Sequence, residues 1–184
     1  DPEDLIDEGK NHGALVKGAY DSADQSWRTN AALAGRVNDT WIMVQGGYRK
    51  GHELENMGDV GGYGNTRTEA NPEDYTQKNF LAKIHQYVEG GHRFGLTGEM
   101  FDREDDVLNN SGTTISYVPG EFHSIDVTKR NRISADYQFE SPDKSGWLDH
   151  AKLMAYWQEQ QLNAKTDAIR QDIIPPIRPP FLRY

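Results

Sequence analysis

The chain has 184 residues and carries 20 Lys and Arg against 29 Asp and Glu, a net charge of -9. That balance argues against a nucleic-acid binder, which needs a basic stripe to displace counterions. Aromatic residues reach 10%, too many for wholesale disorder, and no apolar run approaches the ~18 residues of a membrane helix; a transmembrane β-barrel, apolar on alternate residues only, is not excluded.

In chain order, residues 1–12 are acidic, show no period and read as a loop. Ala14, Val16, Gly18 and Tyr20 then alternate with Leu15, Lys17 and Ala19, and Asp21 to Asp24 supply turn chemistry. Trp27, Thr29, Ala31, Leu33, Gly35 and Val37 share one face of the next segment, with Arg28, Asn30, Ala32, Ala34 and Arg36 on the other. Period two over such a length predicts a strand. Asn38-Asp39 predicts a two-residue hairpin turn into a strand from Trp41 to Arg49. A polar loop is expected over 50–77. A strand with Phe80, Ala82, Ile84 and Val88 on one face and Lys83 and His85 on the other follows, then a turn at Gly90-Gly91. Phe94, Leu96, Gly98 and Met100 oppose Arg93, Thr97 and Glu99. A second long loop is expected over 103–123. Ile133, Ala135, Tyr137 and Phe139 oppose Ser134, Asp136 and Gln138, and after a turn over 141–146, Ala151, Leu153, Ala155 and Trp157 oppose Lys152 and Gln158. From 161 onward the chain reads as irregular.

The sum is an all-β fold of about seven antiparallel strands, with short connections (38–39, 89–92, 141–146) alternating with long ones (50–77, 103–123 and after 161); the connection 21–25 is shorter but sits in the long series. That alternation fits an outer-membrane barrel with turns on the periplasmic side and loops outside. Arg28, Arg36, Lys83, His85, Glu99 and Asp136 are then expected to face a wet lumen. Seven strands are too few for a wide pore, so residues 1–184 are expected to be a section of a larger barrel. The absence of a leader and the abrupt ends read as a piece of a longer protein. The alternative is a secreted all-β domain that binds carbohydrate or protein through exposed Trp and Tyr.

Specific words carry a family resemblance. The stretch 13–27, opening Gly13-Ala14-Leu15-Val16-Lys17-Gly18-Ala19-Tyr20, and the following Asn30-Ala31-Ala32-Leu33-Ala34-Gly35-Arg36 resemble the early barrel of TonB-dependent outer-membrane haem receptors, the group that includes haemoglobin, transferrin and lactoferrin receptors. Asn71-Pro72-Glu73-Asp74 with Asn79-Phe80-Leu81-Ala82-Lys83-Ile84, and His92-Arg93-Phe94-Gly95-Leu96-Thr97-Gly98-Glu99, resemble the next hairpin and strand. The resemblance covers residues 1 to about 100; beyond that only the pattern matches. It implies a 22-stranded barrel with an N-terminal plug, an outer-membrane location among lipid and lipopolysaccharide, and no enzymatic activity. It also implies haem as a transported ligand, drawn from free haem or a haemoprotein, with energy from the TonB complex through a plug that is not in this chain. The family's axial ligands are a plug histidine and a His or Tyr on a later loop flanked by Phe-Arg-Ala-Pro and Asn-Pro-Asn-Leu. Neither word occurs here, so the axial ligands are expected outside this section.

Haem iron accepts imidazole or tyrosinate, which makes His52, Tyr63, Tyr117 and His123, all in the expected long loops, the candidates for contact with haem or its carrier. The plain alternative is four polar loop residues. The run Asp102-Arg103-Glu104-Asp105-Asp106 offers carboxylates to a cation, but it lacks the EF-hand spacing and reads as a solvated loop base. No metal site is assigned. The glycines at 58, 61, 62 and 64 precede no Gly-Lys-Ser/Thr and open no helix, so they do not read as a phosphate loop.

Overall fold

A computed structural model describes residues 1–143 and 147–172. The strands are β1 (His12–Asp21), β2 (Ser26–Val37), β3 (Thr40–His52), β4 (Glu73–Val88), β5 (His92–Leu108), β6 (Tyr117–Glu140) and β7 (His150–Arg170). They form one antiparallel sheet in the order β1-β2-β3-β4-β5-β6-β7. Every neighbour in sequence is a neighbour in space. The sheet is open, with β1 and β7 as its edges. The all-β expectation holds, as does the two-residue turn at 38–39, where Asn38 takes φ 54°, the left-handed conformation such turns require. Gly90 and Gly91, at φ 90° and 84°, make the next turn at this end.

Three expectations about loops are corrected. The connection expected over 50–77 is only 53–72, because β3 runs on to His52 and β4 starts at Glu73. The loop expected over 103–123 is mostly strand, with 109–116 as its connection. The irregular stretch expected from 161 is β7 as far as Arg170, and residues 173–184 lie outside the described residues. The physical reason is common to all three. These strand ends are polar on both faces, so the alternation of apolar and polar residues that marks a half-buried strand is lost while the backbone ladder continues. The turn read at 141–146 is the connection 141–149, part of which lies outside the described residues. It is no shorter than 109–116. What separates the two ends of the sheet is strand overhang and the single long loop at 53–72.

Directly paired residues on antiparallel strands point to the same side, so the register defines two faces. One row runs Ala14, Leu33, Val44, Ala82, Gly98, Ile133, Trp157 across all seven strands. This face is apolar and uncovered: Val16 is 75% exposed, Leu33 60% and Leu153 69%. On β2 it extends from Trp27 to Val37, ten steps of about 3.4 Å, or about 24 Å along the sheet normal to a membrane if the strand tilts by about 45°. That matches the ~25 Å apolar band of an outer-membrane barrel. The upper edge of the band lies at Trp27 on β2 and at Trp157 on β7, and Trp157 is in the row of Leu33. The edge thus slips six residues across five strand steps, the stagger that tilted strands in a barrel produce. Aromatic pairs mark both edges, Trp27 with Tyr48 (centroids 5.2 Å apart) and Phe94 with Tyr137 (5.1 Å).

The opposite face is polar, and the N-terminal segment lies across it. Ile6 packs with Ala34 and Met43, flanked by Leu5, Trp41 and Leu81. Glu3 Oε1 lies 2.7 Å from His85 Nδ1 and accepts from the Tyr87 hydroxyl at 2.8 Å, and Lys83 Nζ donates to Asp1 at 2.6 Å. The stretch read as a plain loop is a strap that leaves the His85 side chain 2% exposed.

Candidate functional site at the long-loop end

The connections 22–25, 53–72 and 109–116 gather at one end of the sheet, together with the polar overhangs of β4 to β7. The two longer connections build one lobe. Asn71 and Ser111 bond reciprocally, Asn71 Nδ2 to Ser111 Oγ at 2.8 Å and Ser111 N to Asn71 Oδ1 at 2.9 Å, and Gly64 N donates to Asn110 O at 2.9 Å. Arg67 holds the longer loop in shape by donating to the carbonyls of Gly62 and Ala70. Such side-chain bonds to backbone carbonyls satisfy groups that a loop cannot pair in a ladder. Leu54, Met57, Val60, Tyr63 and Ile115 stay exposed on this polar lobe.

Below the lobe, on the polar face, sits a charged and aromatic network that the sequence reading missed. Asp24 Oδ2 accepts from the Tyr75 hydroxyl at 2.6 Å and from Arg49 Nη2 at 2.7 Å, while Arg49 also donates to Ser26 Oγ. Arg103 lies over the Tyr75 ring, 4.4 Å from its centroid, and its guanidinium clasps Asp105. The hydrogen bond from Tyr75, then that from Ser26, hold the Asp24 carboxyl down at about 2, with the Arg49 charge acting in the same direction. Burial first, and then the neighbouring Asp105 carboxyl, push Glu73 up. The residues come from four segments, which is why no local motif announces them. The available signal was parity: Arg49 shares the face of Arg28 and lies directly opposite it.

The four haem-contact candidates separate into two pairs. His52 and His123 stand on strands, not in loops, and on the face continuous with the apolar band. His52 pairs in register with Asp74, and Asp74 with Asp106. His52 Nδ1 lies 3.1 Å from Asp74, and His123 Nδ1 2.9 Å from Asp106. The result is a row of two imidazoles flanking two opposed carboxylates. Among the described residues no group of three or more His, Asp or Glu is placed to hold a metal ion. The 102–106 run does not converge, because strand alternation sends Asp102, Glu104 and Asp106 to one face and Arg103 and Asp105 to the other. Tyr63 lies in the lobe, its hydroxyl beside Gly120. Tyr117 opens β6 and packs on Phe122 at 4.8 Å.

The six residues expected to face a lumen do share the polar face in register. Arg36 stacks on Trp41 at 4.7 Å. Lys83 and His85 tie down the N-terminal strap, Asp136 accepts from Arg93 at 2.6 Å, Glu99 faces Arg132 across β5 and β6, and Arg28 lines a small polar cleft with Asp21 and Arg49.

The fold defines a class: an open, all-antiparallel sheet with one apolar and one polar face, consistent with a section of β-barrel wall. Two curated proteins of Haemophilus influenzae resemble the chain over most of its length. The hemoglobin and hemoglobin-haptoglobin-binding protein A is 28% identical over 86% of this chain, and the hemoglobin-binding protein A is 29% identical over 82%. In each case the match spans 16% of the relative's length. No family model matches the chain.

Proposed function

We propose that the chain is a stretch of the wall and outer loops of an outer-membrane receptor that takes haem from a haem-carrying protein. The observation that carries this reading is the uncovered apolar band on one face of a single sheet. A soluble sandwich would bury that face against a second layer, whereas lipid covers it without one. The names of the two relatives supply the ligand class, a haemoprotein. The exposed apolar residues of the long-loop lobe supply a surface suited to a protein partner. The opposite face lines a wet interior, and Arg28, Arg36, Lys83, His85, Glu99 and Asp136 are lumenal in this reading. Transport energised through TonB, with a plug preceding the barrel, completes it, and the role is that of a receptor, not an enzyme.

The test is excision of residues 56–68 from the intact receptor in its native membrane. Gly64 within this segment donates to Asn110 of the 109–116 connection and Arg67 braces the loop through the Gly62 carbonyl, so its loss removes most of the lobe while leaving the strand ladder. Binding of haemoglobin to whole cells is expected to fall at least tenfold with barrel abundance unchanged. Unaltered binding would contradict the assignment of partner contact to this end.

A further inference from the structure

The N-terminal strap covers a patch unlike the rest of the polar face. Ala34, Met43, Trp41 and Leu81 form an apolar island there. Lys83 lies directly opposite Met43, and His85 directly opposite Trp41; two strand residues, about 7 Å, separate this lysine from this histidine. On the other side of Trp41, Arg36 stacks over the indole and, among the described residues, makes no ion pair. The strap fills the patch as a small amphipathic dianion would. The carboxylates of Asp1 and Glu3 reach Lys83 and His85 at 2.6 and 2.7 Å, and Ile6 seats on Ala34 and Met43. Side chains alone hold it. The backbone bonds of residues 1–10 are turns within the strap, and among the described residues the first to the sheet is Arg36 N to Asn11 O. Gly9, at φ 77° with open space around it, sits between Ile6 and that attachment. A segment with few buried apolar contacts and no ladder opens at low free energy.

We propose that the strap is a displaceable cover, and that the patch beneath it is a second station, inside the lumen, for an amphipathic tetrapyrrole dicarboxylate. That this ligand is haem rests on the receptor reading. Displacement of Glu3 frees an imidazole nitrogen of His85, a ligand that haem iron accepts. Displacement of Asp1 frees the Lys83 ammonium, and with Arg36 it supplies two cations for two carboxylates. The indole of Trp41 and the thioether of Met43, between those cations, give the macrocycle an apolar bed. A ligand without carboxylates leaves both cations unpaired, and a small dicarboxylate leaves the island bare. Strap and ligand use the same contacts, so each excludes the other. The station stays closed until the strap moves, which makes its opening a step between capture at the outer loops and passage inward.

The experiment titrates the intact receptor in detergent with haem alone, followed by its Soret absorbance. Replacing residues 1–8 by a Gly/Ser linker of equal length keeps the connection and removes every strap contact. This receptor is expected to take one haem equivalent more than wild type. His85→Ala in the same background is expected to weaken the added equivalent at least tenfold and to change its spectrum, whereas Lys83→Gln with Arg36→Gln weakens it at least tenfold with the spectrum kept. A second variant leaves the strap in place: Ile6→Cys with Met43→Cys, oxidised to lock it down. Locked cells are expected to capture haem from haemoglobin as wild type does, but to take it up at least tenfold more slowly, with recovery on reduction. An unchanged capacity in the linker receptor, an added equivalent indifferent to His85→Ala, or uptake unaffected by the lock overturns the proposal alone. A wild type that captures no haem overturns the receptor reading, and the station with it.

Discussion

Asp24 shows how single side chains set the behaviour of the long-loop end. Its carboxyl, held at about 2 by Tyr75 and Ser26, lies below its ordinary value of 3.8. The folded state therefore gains stability from ionised Asp24 above that ordinary value and loses it as pH falls through about 2. The Tm difference between wild type and Asp24→Asn in detergent is expected to be largest above pH 4 and to vanish toward pH 2; a difference independent of pH would remove Asp24 from the account. Tyr75→Phe deletes one donor to that carboxylate and is expected to cost about 1 kcal/mol. His52 and His123, whose Nδ1 atoms lie against Asp74 and Asp106, stand on the face continuous with the apolar band and not on the polar face. In the intact receptor His52→Ala, Tyr63→Ala, Tyr117→Ala and His123→Ala should each retain the haem Soret band, and loss of the band in any one of them, with the barrel folded, would place a ligand in this section. The two histidines were visible in the sequence as candidates. Their carboxylate partners were not, because each pairing depends on register between strands far apart in the chain.

At the scale of the strand, the two faces carry the argument. Ala135 lies in the apolar band and Ser134, one residue back, on the polar side. Ala135→Arg is expected to cost roughly 2–4 kcal/mol near the bilayer midplane, and Ser134→Arg markedly less, measured by urea unfolding in lipid vesicles. Equal costs would show the faces to be misassigned. Asp136 on the polar side would not serve as the neutral control, since it is paired with Arg93. Strands with one wet and one apolar face were legible from alternation alone, and β2 and the lower half of β6 could be drawn from the sequence. The overhangs 103–108, 117–131 and 161–170 could not. With water on both sides, selection for alternation disappears, and Asp, Glu, Asn and Gln read as loop while the backbone pairs on.

The whole sheet holds a property that no strand has alone. The apolar edge slips by six residues from β2 to β7, which tilts the band relative to the strands as barrel closure demands. The N-terminal strap, read from sequence as an unpatterned acidic loop, crosses the polar face because Ile6 and Glu3 find Met43 and His85 there, contacts fixed by three-dimensional packing and by no local period. The open edges at β1 and β7 expose unpaired backbone groups, which further strands would satisfy in a closed wall.

The central claim is that the apolar face meets lipid and the long-loop end faces outward. Single cysteines at Gly62, Ser111 and Asn38 of the intact receptor, probed on whole cells with a membrane-impermeant thiol reagent and compared with the unsubstituted receptor, test it most directly, because residues 1–184 contribute no cysteine of their own. Labelling at positions 62 and 111, with position 38 reacting only after the outer membrane is opened, is the predicted result. Labelling at position 38 on intact cells, with 62 and 111 silent, would contradict it.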